Sequence, residues 1–375
     1  MKNNDRVCVL HPAVEFGDRP RAQALDLGQI ANDRLLRFDL RADVIRNHYL
    51  EHAGKTTGTT PLGQAHANLP CPVGLANIRG VILTTQITRL SWVCAAALLG
   101  QALGQAETPE DIAGKIRSAY AANDIAKAID LASKGIEKHP DDASLLTLRG
   151  RIYEEEHQHA NSEADYSAVI KKTSNDAGLY HRRGVVRFFQ LKFDGSLADF
   201  DKFIEMVPGQ EPYHWQRGLV HYYAGKYKAG RKQFEVHQTV NTQDVENAVW
   251  HYLCVAKTDG IKEAEKHFIK ITSDRRVPLK EIHALFAGMG SEQQVLDAIK
   301  AGNPGPGALA RNQFYGHLYL GLYFEAQNNA KKSAKYIELA AKGHEEHGYM
   351  GQVARVHHEW VQQKAKRQST KKGSK

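Results

Sequence analysis

Histidine is the residue whose number and spacing first suggest chemistry in this chain. The sequence of 375 residues contains 19 histidines, and two short motifs bring a pair of them close together, His157-x-His159 and His344-Glu345-Glu346-His347. The second pair lacks the i, i+4 spacing that places two metal ligands on one face of a helix. Three glutamates precede the first pair, a pattern equally typical of a solvated polar corner. We therefore predict no metal site and no cofactor.

Motifs of catalysis and nucleotide binding are absent from the sequence. There is no Gly-x-Ser-x-Gly elbow, no phosphate-binding Gly-Lys-Ser/Thr loop and no dinucleotide fingerprint. The four cysteines follow neither a disulfide framework nor a zinc-ligand spacing. The sequence thus favours a protein that is not an enzyme. An accessory or hydrolytic role in the cell wall, using the histidine-rich surface, remains the alternative.

A glycine recurs at a constant interval in the middle of the chain. The recurring residues are Gly150, Gly184 and Gly218, and an arginine precedes each of them. Their interval matches the length of one tetratricopeptide unit, a helix-turn-helix of about 34 residues in which a small residue lets neighbouring helices approach closely. Other positions recur in the same register, namely Ser162, Ser196 and Gly230, and then Tyr166, Phe200 and Phe234. The pattern predicts an all-α fold, a tetratricopeptide-repeat right-handed superhelix.

The same period divides the chain into an array and its flanking segments. The array is predicted at 107–242, with units at about 109–142, 143–176, 177–210 and 211–242. Divergent helical pairs at 243–313 and a last unit with a capping helix at 314–362 follow. We expect the basic segment 363–375 to be a disordered tail, because it cannot bury enough apolar area to fold.

The segment before the array has the composition of a leader. Residues 1–80 show no sustained periodicity, which predicts an unstructured or mis-annotated extension. Residues 81–106 contain Arg89, an apolar run and then small residues, the parts of a secretory signal peptide. We expect an exported protein of the periplasm or cell envelope, and a cytoplasmic one if residues 1–80 are genuine. Cys94 has no lipobox before it, so membrane association is doubtful.

The charge of the chain limits its partners only weakly. The formal net charge is +8, from 50 basic and 42 acidic side chains. This mild bias gives no reason to expect a nucleic acid partner, whose binding requires a concentrated basic surface.

The first helix of each unit should line the concave side of the array. In the second unit the lining positions are Thr147, Arg151, Glu154 and Glu155. In the next two units the predicted ligand-binding residues are His181, Phe188, Phe189, Trp215, Leu219, Tyr222 and Tyr223. Aromatic side chains offer a large contact area with little loss of rotamer freedom, which suits recognition of a peptide. Alternatively, one member of each aromatic pair packs beneath the next repeat.

The fourth unit and the segment after it carry a resemblance to a known family. His214-Trp215-Gln216-Arg217-Gly218 and Tyr222-Tyr223-Ala224-Gly225 lie in the segment where the chain most resembles the family of the bacterial envelope lipoprotein NlpI. The resemblance covers roughly residues 110–345. It implies an all-helical scaffold and a homodimeric adaptor that brings peptidoglycan hydrolases and proteases together. We accordingly expect a non-catalytic scaffold that binds a protein or peptide, or an array that serves mainly homodimerisation.

Overall fold

The described part of the chain is an array of antiparallel helix pairs. The structure is a computed structural model that describes residues 106–373, and the predicted leader and nearly all of the predicted signal peptide lie outside this range. The four predicted units contain the helices α1 (Pro109–Ala121), α2 (Ile125–Lys138), α3 (Ala143–Glu155), α4 (His159–Lys172), α5 (Ala177–Phe189), α6 (Phe193–Met206), α7 (Trp215–Tyr223) and α8 (Tyr227–His237). The starts of α1, α3 and α5 are separated by the same interval as the recurring glycines, which confirms the tetratricopeptide period.

Side chains at repeated positions define where the first helix of a unit begins. Thr108 and Asp111 form a capping box at the start of α1. Asp142 accepts hydrogen bonds from the backbone N–H groups of Ser144 and Leu145, and Asp176 accepts one from Gly178. These side chains satisfy donors that have no partner within the helix.

The recurring glycines lie where two helices of one unit cross. A Cβ atom added at Gly184 would stand 2.5 Å from a ring carbon of Phe200, and one at Gly218 would stand 2.7 Å from Phe234. The recurring serine also acts at this crossing, because Ser196 Oγ donates to the carbonyl oxygen of Gly184 at 2.7 Å. Only glycine leaves room for the aromatic ring, as the repeat pattern predicts.

The arginine before each glycine binds the second helix of its unit. Arg183 donates two hydrogen bonds to Asp199, at 2.9 and 2.6 Å, and Arg149 pairs in the same way with Asp165. In the fourth unit the equivalent acceptor is Gln233, which is 2.9 Å from Arg217. Sequence analysis identified the arginines but not their acceptors, which recur with the same period.

The remaining helices continue the array less regularly. They are α9 (Val245–Asp259), α10 (Ile261–Lys266), α11 (Leu279–Phe286), α12 (Glu292–Lys300), α13 (Pro306–Ala326), α14 (Ala330–Ala341) and α15 (Gly348–Gly373). Two 3-10 helices, Pro208–Tyr213 and His344–His347, precede α7 and α15. None of the helices within residues 106–373 is both long and apolar enough to cross a membrane.

Helix α15 extends through most of the segment that was expected to be a disordered tail. The predicted capping helix is present, with Val353, Val356 and Trp360 buried. Beyond Val361 the chain stays helical up to Gly373, although this stretch adds no residue to the apolar core. The physical reason is composition, since glutamine, lysine, alanine and arginine extend a helix readily.

Within residues 106–373, the buried apolar residues form one large core and two smaller ones. The smaller cores lie in the first units, one around Ile116 and Leu145 and one around Tyr166 and Leu179. The large core runs from Val185 in α5 to Trp360 in α15. The C-terminal helix is therefore part of the core of the third and fourth units.

Candidate functional site: the aromatic face

Five of the predicted binding residues meet on one surface, which α15 covers. This surface, called here the aromatic face, consists of Phe188, Phe189, Trp215, Tyr222 and Tyr223. Only Trp215 is half-buried, and the other four are buried. Both members of each aromatic pair are thus enclosed, whereas the repeat pattern predicts that at most one of them packs inside.

The other two predicted residues have different surroundings. Leu219 is fully buried in the large core. His181 is half-buried beside Phe200, Phe203 and His214, with ring centroids 5.1–5.7 Å apart. The role of all seven as binding residues stays a prediction.

Two aromatic side chains attach α15 to the aromatic face. The ring of Tyr349 lies 5.1 Å from that of Phe189 and 5.0 Å from that of Trp215. Three turns further along, Trp360 lies 5.3 Å from Tyr223 and 6.2 Å from Tyr222. Tilted and edge-on aromatic pairs at these distances add to the stabilisation that burial alone provides.

Polar contacts place α15 across the C-terminal ends of several helices. Arg355 donates to the carbonyl oxygen of Phe189, the last residue of α5, at 2.7 Å. His357 Nδ1 is 3.2 Å from the hydroxyl of Tyr223, the last residue of α7. Helix C-termini present unpaired carbonyl groups and the negative end of the helix dipole. A basic helix is therefore electrostatically matched to this edge of the array.

A partly buried carboxylate strengthens this match. Glu325, in the last turn of α13, lies 3.1 Å from His357 Nε2 and 3.0 Å from Lys257 Nζ, and it accepts from Tyr222 at 3.3 Å. Burial alone would raise the pKa of the carboxyl, but His357 and Lys257 lower the pKa of Glu325 to about 2. Glu325 is thus ionised and faces the fully buried His357.

The polar residues predicted in the second unit form a different surface. Glu154 accepts from Tyr166 at 2.6 Å and from Arg182 at 3.1 Å. Thr147 donates to its own helix at Ala143. Thr147, Arg151, Glu154 and Glu155 are called here the polar face, and the contacts of Thr147 and Glu154 stay within the array. Helix α15 reaches this unit at its turn, where Gln352 is 3.4 Å from His157.

The histidine motifs do not converge on a metal site in the described residues. No three histidine, cysteine, aspartate or glutamate side chains in residues 106–373 are grouped to hold an ion. His159 is buried against Phe189, with ring centroids 5.0 Å apart, and burial lowers the pKa of His159 to about 4. His347 stacks on Phe314 at 4.1 Å. Packing therefore accounts for both of these histidines.

Sequence analysis missed Glu325, Arg355, His357 and Lys257. These residues lie outside the strict repeat register, and they meet the aromatic face across large sequence separations. One signal was present, because Tyr349, Trp360 and the basic residues between and after them define an amphipathic helix with one aromatic side.

Comparison with known proteins gives no family assignment and only distantly similar solved structures. No family model matches the chain, and no curated protein matches it. Among solved structures, a tetratricopeptide repeat protein from Parabacteroides merdae is 15% identical, with a TM-score of 0.47, over 68% of this chain and all of that one. MamA is also 15% identical, with a TM-score of 0.41, over 43% of this chain and 88% of that chain.

A third similar structure is YrrB, described as a tetratricopeptide protein with an unusual peptide-binding site. It is 14% identical, with a TM-score of 0.33, and covers 59% of this chain and 95% of that chain. The repeated helix pairs described above define the class of the protein as an all-α tetratricopeptide-repeat fold.

Proposed function

We propose that this protein is a non-catalytic scaffold that binds a helical segment of a protein partner on its aromatic face. The observation that carries the proposal is that the face already holds a helix, α15. It does so by aromatic contacts at Tyr349 and Trp360 and by polar contacts at Arg355 and His357. A surface that binds one amphipathic helix through its side chains and helix ends can bind another of similar chemistry.

The proposal includes the cell envelope as the place of action. Its support is the sequence of residues 81–106, with a basic residue, an apolar run and small residues in the order of a signal peptide. The resemblance to the NlpI family points to the same compartment and to an adaptor role, with a homodimer as a second state of assembly to be tested.

Site-specific photo-crosslinking in the native cells tests the binding surface. A photoreactive amino acid replaces Trp215, which is half-buried at the aromatic face, and a matched control replaces Lys171, which is exposed on α4. We expect a discrete crosslinked protein from position 215 and none of the same mass from position 171. Identical crosslinks from both positions, or none from position 215, would refute binding at this face.

The N-terminus of the protein purified from its native cells tests export. We expect the mature chain to begin near Leu103 or Glu107, as cleavage of a signal peptide requires. A chain that begins at Met1 would remove the support for an envelope role, while leaving the binding surface to the crosslinking experiment.

A further inference from the structure

The contact between α15 and the aromatic face has the features of an interaction that can open. Its two aromatic anchors, Tyr349 and Trp360, are three helical turns apart, or roughly 16 Å along the helix axis. Between them, Val353 and Val356 are fully buried, whereas the residues after Val361 whose exposure is described are all exposed. The folded contact is thus limited to the first half of a long helix, and the second half projects from the array.

The connection before α15 can change direction at two glycines. Gly343 has a φ of +70° and Gly348 has a φ of +56°, and they flank the short 3-10 helix His344–His347. Left-handed backbone of this kind is accessible to glycine without steric cost, so other orientations of α15 are accessible at the same two positions. The joint therefore allows α15 to leave the array while α14 remains in place.

Some polar atoms that α15 buries gain no partner in return. The hydroxyl of Tyr349 is buried among Phe188, Phe189 and Trp215 without a hydrogen bond. His159 Nδ1, beside Phe189, is likewise buried without a hydrogen bond. A buried polar group without a partner is unfavourable relative to its hydrated state. These groups weaken the closed arrangement relative to its apolar contact area.

The charges of the site specify which helix it accepts. The polar groups that face α15 are the carbonyl group at the end of α5, the hydroxyl of Tyr223 and the ionised Glu325. On α15, Arg355 and His357 face these groups. One turn beyond Trp360, Lys364 Nζ lies 3.3 Å from the centroid of the Trp360 ring. An acidic helix would bring like charge towards Glu325 and the ends of the helix dipoles, which is unfavourable.

We infer that α15 is an intramolecular competitor that keeps the aromatic face closed until a partner helix displaces it. The partner helix is amphipathic and basic, with two aromatic side chains about three turns apart and cationic residues between and after them. This inference rests on the proposed function and adds a mechanism of regulation. The partner can bind only when α15 is released, so the two helices exchange on the same face.

A labelled peptide with the sequence of residues 348–366 is the probe for this exchange. Its affinity is measured for the full chain, for Tyr349→Ala and for Lys366→Ala, an exposed control position on the same helix. Weakening the intramolecular competitor raises the fraction of open protein, and the apparent affinity rises with that fraction. We expect at least about tenfold tighter binding by Tyr349→Ala and unchanged binding by Lys366→Ala.

A second, milder variant guards against loss of folding. Arg355→Ala removes the hydrogen bond to Phe189 and leaves the buried valines of α15 in place, so an intermediate gain in affinity is expected. Trp215→Ala combined with Tyr349→Ala removes an anchor from the face itself and should abolish the gain. Equal peptide affinity in all of these chains, with native circular dichroism, would overturn the displacement mechanism.

Hydrogen exchange of the full chain separates this inference from the proposed function. Saturating peptide should increase amide exchange in residues 349–361 of the protein itself. If the peptide binds while exchange in those residues stays unchanged, α15 is a permanent part of the fold and the displacement mechanism is wrong. The crosslinking experiment at position 215 decides the scaffold function independently of that outcome.

Discussion

The polar and aromatic faces occupy equivalent positions in successive repeats, yet only the aromatic face holds α15 through aromatic anchors. Thr147, Arg151, Glu154 and Glu155 of the second unit correspond to His181, Val185, Phe188 and Phe189 of the third, each one repeat length later. Each of the two units is a helix pair with helices of the same lengths. The two units thus differ in the side chains at a few equivalent positions and not in the repeat fold, and α15 packs on the aromatic set.

The largest expected effect separates the two faces at one equivalent position. Phe189→Ala removes a ring that contacts Tyr349 and His159, and truncation of a buried phenylalanine lowers the free energy of unfolding by about 3–5 kcal/mol. Glu155→Ala, at the same position of the second unit, changes an exposed side chain. It should change the free energy of unfolding by no more than about 0.5 kcal/mol. Urea denaturation of both variants measures the difference, and equal losses would contradict the distinction between the faces.

Acid should destabilise the helices that form the aromatic face. His221 in α7 is buried with neither ring nitrogen hydrogen-bonded, and burial lowers its pKa to about 4. Between that pH and the ordinary histidine pKa near 6.5, the unfolded chain binds more protons than the folded chain, so stability falls as the pH falls.

Full protonation of this one histidine corresponds to roughly 3 kcal/mol. Chemical denaturation between pH 7 and pH 4 measures the slope, and His221→Leu should flatten it. A slope in that variant as steep as in the wild type would assign the acid sensitivity to other groups.

A smaller effect is expected from Glu325, the partly buried carboxylate that faces α15. Glu325→Gln keeps the shape of the side chain but removes the charge that His357 and Lys257 face, so the free energy of unfolding should fall by about 1–3 kcal/mol. Because the folded pKa of Glu325, about 2, lies below the ordinary 4.5, its stabilisation is present above pH 4.5 and declines towards pH 2.

The difference in the free energy of unfolding between wild type and Glu325→Gln should therefore become smaller in acid. Glu338→Gln, which alters an exposed i, i+4 pair with Lys342, is the matched control and should change stability by less than about 0.5 kcal/mol. A gap that stays constant down to pH 3 would show that Glu325 acts by packing alone.

The smallest loss of stability should be the same in the second and the third unit. Ser196→Ala and Ser162→Ala each remove a hydrogen bond to the carbonyl oxygen of the repeat glycine, worth about 1 kcal/mol. The carbonyl group keeps its place in the helix, and the fourth unit has Gly230 at this position. Equal losses in urea denaturation would show that the repeat contacts do not depend on α15, whereas a much larger loss in one unit would show that they do.

Much of the fold could be predicted from single residues of the repeat. Gly184 faces Phe200 sixteen residues later, and Arg183 pairs with Asp199 at the same separation, so each contact falls inside one unit and recurs with its period. The lining positions were predictable for the same reason, since they follow from the position of each first helix. The acceptors Asp165, Asp199 and Gln233 were missed although their spacing was visible.

The occupant of the aromatic face could not be predicted in this way. Tyr222 meets Glu325 across 103 residues, and Tyr223 meets His357 across 134. The sequence by itself determined the helix pairs, their register and the aromatic lining, because short-range contacts of fixed spacing leave a periodic trace. Only the tertiary structure decided that α15 covers that lining, because contacts between distant segments form once in the chain and leave no period to read.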